Sequence, residues 1–174
     1  IGYSLMMPLA LLSRLGLVRN HASDVAEAVE LLRQQQIMFQ QESLSRANPA
    51  ERLASCIHDR FLIMYAAEPM LPVARRWRGQ ISENAKAWAQ YEELPEMTHN
   101  FVAGLERPKV LVGNTLVLFL ESSLTHPRNQ RRAELCRQMF QQTGYSTDVI
   151  SARGEGLLSQ MLSMLHYGDY TSYY

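Results

Sequence analysis

The sequence predicts an α/β fold in which helices cover both faces of a parallel sheet. Two continuous apolar runs, residues 61–65 (FLIMY) and 115–120 (TLVLFL), have the length of strands and lack alternating polar residues. This pattern is typical of strands that are buried on both faces. Segments of helical periodicity separate the runs, and strands that alternate with long helices pair in parallel through right-handed crossovers. We therefore expect one three-layer α/β/α domain over residues 1–174, with extra helices at its N terminus.

Three helices are expected before the first strand. Apolar residues recur on nearly every turn of residues 6–17, which predicts the first helix. Ser23 is the expected N-cap of a second helix, which carries one mostly apolar stripe. Asn48 and Pro49 then open a short third helix over residues 50–57.

The helix after the first strand is expected to run from about Pro69 to Trp88. Its apolar residues recur at intervals of four, four and three, and they are Trp77, Ile81, Ala85 and Trp88. Pro95 should end any helix near Glu93, so residues 93–100 (ELPEMTHN) are predicted to form a loop.

The last third of the chain is expected to add a helix, a strand and a further helix. Pro127 fits the first turn of a helix that ends near Gly144. Residues 147–151 (TDVIS) are the expected third strand, and residues 157–167 the last helix.

Three further segments have structural interpretations. Residues 154–156 (GEG) lie between a strand and a helix, where backbone N–H groups can bind phosphate, but the glutamate would repel an anion, so we predict a tight turn. Residues 122–126 precede Pro127 and are expected to cap a helix. The terminal run 167–174 (YGDYTSYY) is expected to form an aromatic packing surface or an interface.

Composition and motifs exclude several function classes. The chain has 17 Lys+Arg and 17 Asp+Glu, and this zero formal charge argues against a general nucleic-acid binder. No metalloprotease, Walker, nucleophile-elbow or dinucleotide-binding motif is present, so we expect no metal and no cofactor. Cys56 and Cys136 lack metal-ligand spacing and are expected to be buried thiols in a reducing cytosol. Residues 1–18 are too short and too polar for a membrane span, and the initial Ile suggests a piece of a longer protein.

Two side chains are candidates for acid–base chemistry. Glu83 lies away from the predicted core stripe of its helix, where exposed glutamates are common. His99 lies in the predicted loop between Thr98 and Asn100, two polar neighbours that could fix its orientation. From the pattern alone, each of these two residues is more often an ordinary surface residue than a catalytic one.

A series of short motifs, in order along almost the whole chain, carries a family resemblance. They are residues 2–5 (GYSL), 76–77 (RW), 80–81 (QI), 83–86 (ENAK), 93–97 (ELPEM), 99–100 (HN), 126–128 (HPR) and 165–174. Together they resemble the C-terminal portion of the bifunctional phosphoglucose/phosphomannose isomerases. The resemblance implies a sugar isomerase (SIS) domain, one of two per chain in a cytoplasmic homodimer.

The resemblance also implies an activity and two residue roles. The family interconverts glucose 6-phosphate or mannose 6-phosphate with fructose 6-phosphate through a cis-enediol, within glycolysis and gluconeogenesis. Glu83 matches the family's base, and His99 matches the ring-opening histidine, which comes from the neighbouring subunit. Their separation, 99 − 83 = 16 residues, agrees with the family spacing. Because a base shielded from water is stronger, we expect Glu83 to be at least partly buried.

Some family features fall outside this sequence. The first SIS domain, whose serine/threonine-rich loop holds the phosphate, precedes it, and an active-site lysine lies beyond Tyr174. Relatives often have Asn-His-Asn-Glu where this chain has residues 98–101 (THNF). We therefore expect an incomplete active site and negligible isomerase activity for this chain alone. A non-catalytic SIS module that binds a sugar phosphate or dimerises is the main alternative. A purely structural helical partner is more distant, because the apolar strands need a sheet.

Overall fold

A computed structural model of the chain describes residues 2–40 and 48–174. Its helices are α1 (Gly2–Arg14), α2 (Ala22–Phe39), α3 (Pro49–Ile57), α4 (Leu71–Glu83), α5 (Met97–Asn100), α6 (Val110–Asn114), α7 (Pro127–Thr143) and α8 (Leu157–Tyr173), with a 3₁₀ turn at Phe101–Gly104. Its strands are β1 (Phe61–Ala67), β2 (Ala89–Leu94), β3 (Thr115–Glu121) and β4 (Ser146–Ser151).

The four described strands form one parallel sheet in the order β2-β1-β3-β4. The apolar runs predicted as strands lie in β1 and β3, the two central strands. In the register of the sheet, Met64 of β1 stands beside Leu118 of β3 and Tyr91 of β2. The parallel sheet that the sequence predicts is therefore confirmed.

Helices cover both faces of the sheet, which confirms the three-layer α/β/α prediction. On one face, Leu62 and Met64 of β1 pack under α3, α4 and α8, with the buried Trp77 of α4 in the same core. On the other face, Tyr65 of β1 packs under α7 and the short helices, and its ring lies 5.3 Å from that of Phe140.

The extra N-terminal helices have different surroundings. α2 packs on α8, where the ring of Phe39 lies 5.1 Å from that of Tyr167. α1 has no buried residue among those described. In the described residues, no helix has the length and hydropathy that crossing a membrane requires.

The prediction of a helix up to Trp88 is wrong. α4 ends at Glu83, and β2, which the sequence did not predict, begins at Ala89. Trp88 lies between them and is 71% exposed, packing edge-on against Phe61 at 5.2 Å between centroids. Trp88 extends the apolar pattern beyond the end of α4, but its side chain packs against Phe61 of β1 and not on the core face of the helix.

Several boundaries differ from the predictions. α2 begins at Ala22, so Ser23 is inside the helix, and the Asn20 side chain accepts a hydrogen bond from the Ala22 N–H at 2.9 Å. α8 continues to Tyr173, beyond the predicted end at residue 167, because the aromatic residues that follow pack on α2, with Tyr170 against Phe39. Of the two free thiols, Cys136 is buried as expected but Cys56 is only half-buried.

Candidate functional site

Glu83 is the last residue of α4 and lies at the amino edge of the sheet. α4 starts at the carboxyl end of β1 and runs back along the sheet, so it ends where β2 begins. The Glu83 side chain is exposed, and no hydrogen bond to its carboxylate is formed within the described part of the chain. The expected partial burial of Glu83 is therefore wrong for this chain by itself, because the sheet edge beside it is uncovered.

A cleft of about 410 Å³ opens beside the end of α4. Its walls are the ends of three elements, which contribute Arg60 after α3, Lys86 after α4 and Ser172 from the last turn of α8. In the ranges that the structure describes, neither Arg60 nor Lys86 forms an ion pair with a carboxylate. The cleft has one acidic side chain, Asp59, so its charge favours an anionic ligand.

The backbone after α4 turns sharply at Lys86. Lys86 has φ of 58°, a left-handed conformation that is uncommon for a residue with a side chain. Its ammonium group donates a hydrogen bond to the Glu83 carbonyl at 2.5 Å, which satisfies one of the free carbonyls at the helix end. Glu83 is thus followed by a constrained turn, a feature that often accompanies functional sites.

His99 lies on α5 at the opposite, carboxyl edge of the sheet. The predicted loop over residues 93–100 is wrong, because β2 reaches Leu94 and α5 begins at Met97. Met97 is buried and accepts a hydrogen bond from the Cys136 thiol at 3.7 Å, which anchors the short helix. His99 faces outward and is exposed.

The neighbours of His99 do not orient its imidazole. The Thr98 hydroxyl donates instead to the Pro95 carbonyl at 2.6 Å, and within residues 2–40 and 48–174 no group hydrogen-bonds to the His99 ring. Phe101, at which the sequence departs from the expected family pattern, packs with its ring centroid 5.6 Å from that of Tyr65. This departure therefore fills the core rather than contacting His99.

Glu83 and His99 do not meet within one chain. The six residues of β2 lie between them, and at ~3.3 Å per residue the strand alone puts roughly 20 Å between the two edges. A single sugar cannot contact both side chains of the same chain.

The carboxyl-edge crevice, where open α/β sheets usually bind ligands, is filled. The Gln160 side chain accepts a hydrogen bond from the Ser122 hydroxyl at 2.6 Å and donates to the Ser123 hydroxyl at 2.6 Å. Gln130 donates to the Thr125 carbonyl at 2.9 Å. The remaining cavity of about 20 Å³ has room for one water molecule.

Glu121, at the end of β3, borders the filled crevice. Burial raises the pKa of its carboxyl. The expected capping role of residues 122–126 is confirmed, since the His126 ring accepts a hydrogen bond from the Arg128 N–H at 3.1 Å.

A carboxylate of the chain occupies the N terminus of α8. Glu27 of α2 accepts hydrogen bonds from the Ser159 hydroxyl at 2.8 Å and from the Glu155 N–H at 3.2 Å. These bonds, that of Ser159 first, lower the pKa of Glu27. The glycine-flanked turn is thus structural, as the sequence indicates, because the Glu155 N–H already binds the Glu27 carboxylate of the same chain.

Three contributors to the amino-edge site, Asn84, Lys86 and Ser172, were not identified by sequence reasoning. The motifs 83–86 (ENAK) and 165–174 contain all three, but no sequence pattern predicts that the two motifs are in contact. In the structure they do, since the Asn84 side chain donates a hydrogen bond to the Ser172 hydroxyl at 2.9 Å.

Comparison with known proteins finds a matching family model. The model described as the bacterial phospho-glucose isomerase C-terminal SIS domain matches residues 46–174. This range includes the whole sheet, the amino-edge cleft and both candidate residues.

Individual relatives agree with this match. The chain is 30% identical over 175 residues to the bifunctional phosphoglucose/phosphomannose isomerase of Caldicellulosiruptor bescii, covering 100% of this chain and 52% of that protein. It is 28% identical over 122 residues to the enzyme of the same name from Aquifex aeolicus, covering 70% of this chain and 38% of that protein. The chain therefore spans about half the length, or less, of these relatives.

A solved structure supports the fold. A glucose-6-phosphate isomerase like protein from Thermus thermophilus superposes with a TM-score of 0.71, covering 85% of this chain and 49% of that chain at 18% identity. At that identity the likeness concerns the fold alone.

Proposed function

Because the chain belongs to the family of bacterial phospho-glucose isomerase C-terminal SIS domains, we propose that it is one half of an aldose–ketose isomerase. The proposed reaction interconverts glucose 6-phosphate or mannose 6-phosphate with fructose 6-phosphate. The observation that carries the proposal is the position of Glu83, an exposed carboxylate next in sequence to Asn84, which lines a cleft whose charge favours an anion. An upstream SIS domain supplies the phosphate-binding loop.

Glu83 is the proposed base. Its carboxylate takes the proton from C2 of the open-chain aldose, the electrons form the C1–C2 double bond, and a hydroxyl proton passes from O2 to O1. The cis-enediol then receives the carried proton at C1 to give the ketose. Because C2 is planar in the enediol, glucose and mannose epimers give the same intermediate. One carboxylate on one face of the sugar performs both transfers.

His99 is the proposed ring-opening residue of the other subunit. Opening the pyranose moves a proton between the ring oxygen and a hydroxyl, and imidazole can give and take protons near neutral pH. The separation of Glu83 and His99 by the length of β2 supports a site built from two chains. The exposed His99 ring, which has no hydrogen bond from the described residues, is free to reach a partner.

α1 supports the proposed assembly with an upstream domain and a second subunit. The helix has 13 residues and none is buried, with Tyr3, Met7 and Leu11 exposed by 85%, 66% and 58%. A helix this short is marginal on its own, and one that is apolar on all sides is typical of a buried position. An assembled enzyme would cover it.

We also propose that the enzyme acts in the cytoplasm. Cys56 and Cys136 are free, and free thiols are usual in reducing compartments. The alternative function is a SIS module that binds a sugar phosphate or dimerises without catalysis, and it needs neither Glu83 nor His99.

The decisive experiment uses the protein together with the region upstream of Ile1. We expect Glu83→Gln to lower kcat by roughly 10²- to 10⁴-fold, the usual contribution of acid–base catalysis. Glu93→Gln, an exposed glutamate on β2, is the matched control and should retain full turnover. Wild-type isomerisation by Glu83→Gln would favour the binding-module alternative. Fructose 6-phosphate turnover by the 174-residue chain alone would contradict the expected incompleteness.

Subunit mixing tests the role of His99. Glu83→Gln and His99→Gln homodimers are each expected to be inactive. A mixed dimer restores one site, which has Glu83 from one chain and His99 from the other. Random mixing should therefore recover about a quarter of wild-type activity. Recovery of none would contradict a site shared between subunits.

A further inference from the structure

The C-terminal end of α4 is held by α8 through a row of side chains. Trp77 donates its indole N–H to the Met164 carbonyl at 2.9 Å. One turn further on, Gln80 donates to the Asp169 carboxylate. In the following turn, Asn84 donates to Ser172 at 2.9 Å. Trp77 and Gln80 of α4 and Asn84, the residue that caps its C terminus, share one helix face, and Asn84 is the contact nearest to Glu83.

The Ser172 hydroxyl is itself fixed. It donates a hydrogen bond to the Asp169 carbonyl at 2.9 Å, so its oxygen is directed at the Asn84 amide as an acceptor. Ser172 is 2% exposed, whereas Asn84 is exposed. A buried, oriented hydroxyl thus holds an exposed side chain at the end of a helix.

The Glu83 carboxylate depends on its backbone for its position. In the part of the chain that the structure describes, no donor hydrogen-bonds to it, so its direction follows from the last turn of α4. Helix ends fray when their final carbonyls lack partners. Two hydrogen bonds oppose fraying here. Lys86 donates to the Glu83 carbonyl, and Asn84, the residue after Glu83, donates to Ser172 of α8.

We infer that Asn84, held by Ser172, is a positioning residue for Glu83, an inference that rests on the proposed function. It touches no reacting atom. Asn84 keeps the Glu83 carboxylate within reach of the proton on the sugar carbon. A displacement of the carboxylate by about 1 Å can lower the rate 10²-fold.

The test measures kcat and KM in the two-domain protein. Asn84→Ala and Ser172→Ala should each lower kcat roughly 10- to 100-fold with KM for fructose 6-phosphate nearly unchanged. The double variant should be no worse than either single variant, because the two residues act as one unit. Ser172→Thr, which keeps the hydroxyl, should retain more activity than Ser172→Ala.

Asn114→Ala is the matched control. Asn114 also ends a helix and donates one hydrogen bond, to the Val110 carbonyl at 2.9 Å, but it does not line the cleft. It should leave kcat unchanged.

Hydrogen exchange in the 174-residue chain gives a readout that needs no activity. Amides of residues 82–88 should exchange faster in Asn84→Ala and not in Asn114→Ala. Equal exchange in both variants would overturn the inference even if kcat falls.

The two proposals fail differently. If Glu83→Gln is inactive but Asn84→Ala matches Asn114→Ala in kcat, the positioning role is wrong and the proposed function stands. If Glu83→Gln keeps wild-type turnover, the proposed function fails and the inference fails with it.

Discussion

Gly168→Ala should destabilise the protein, because α8 crosses α4 closely at this glycine. A methyl group at Gly168 would lie 2.5 Å from Cε2 of Trp77 and 2.7 Å from Oε1 of Gln80, and it would also meet the Trp77 indole nitrogen. Since carbon atoms pack at about 3.5 Å or more, the ring must retreat by roughly 1 Å. Trp77 is fully buried and its N–H is bonded to Met164 of α8, so it cannot retreat without loss.

Opposing effects set the magnitude. Overpacking costs about 1–3 kcal/mol, and weakening the indole hydrogen bond adds about 1 kcal/mol. Replacing a glycine inside a helix by alanine returns about 1 kcal/mol of helix propensity. The net loss for Gly168→Ala is therefore about 1–3 kcal/mol, or roughly 2–12 °C in Tm for a domain of this size.

Gly79→Ala is the matched control on the facing helix. Its new methyl group would lie 3.7 Å from the Glu83 carboxylate and 3.9 Å from the Arg76 guanidinium, both ordinary contacts. Helix propensity then acts alone, and we expect a gain of about 0.5–1 kcal/mol.

Urea unfolding, followed by circular dichroism and tryptophan fluorescence, measures both variants. The midpoints should move in opposite directions at unchanged slope. Gly168→Ala at or above wild-type stability would refute the close-approach reasoning, since the gain in helix propensity would then outweigh the overpacking.

Three further predictions concern other parts of the molecule. Asn48→Ala should cost about 2 kcal/mol by urea unfolding, because it removes both the α3 cap and a 2.6 Å bond to the Phe39 carbonyl. Glu121→Gln should stabilise the protein at pH 7 and not below about pH 4: burial raises the folded-state pKa of Glu121, so its contribution is lost as pH rises through that pKa. Burial lowers the pKa of His166, so wild-type stability should fall as pH drops below about 6.5, and a smaller fall in His166→Gln by thermal melts would verify it.

The central sheet was predictable because burial on both faces leaves a simple signal. β1 and β3 are apolar at nearly every position, since helices lie above and below them. β2 is an edge strand, and only its terminal residues Ala89 and Leu94 are buried. Its polar centre, with Glu92 and Glu93, suits an unpaired edge but hides the strand in the sequence.

The candidate residues were predictable only through family resemblance. Neither Glu83 nor His99 has a pattern that separates it from ordinary surface residues. The cleft was not predictable at all, because Arg60, Lys86 and Ser172 come from the ends of three elements that are distant in sequence. Only the folded backbone, with α4 and α8 both running back from the carboxyl edge, brings these ends together.

The filled crevice and the open cleft have a common consequence for the proposed function. Parallel α/β sheets usually bind ligands at the carboxyl edge, but here Gln130 and Gln160 occupy that position with their own hydrogen bonds. The cleft of about 410 Å³ and the exposed Glu83 are instead at the amino edge. Under the proposed function, this domain contributes the base and an upstream domain contributes the phosphate-binding loop. The exposure of Glu83 contradicts the expected partial burial of a base, and under the same proposal the second domain would cover this side chain when it completes the site.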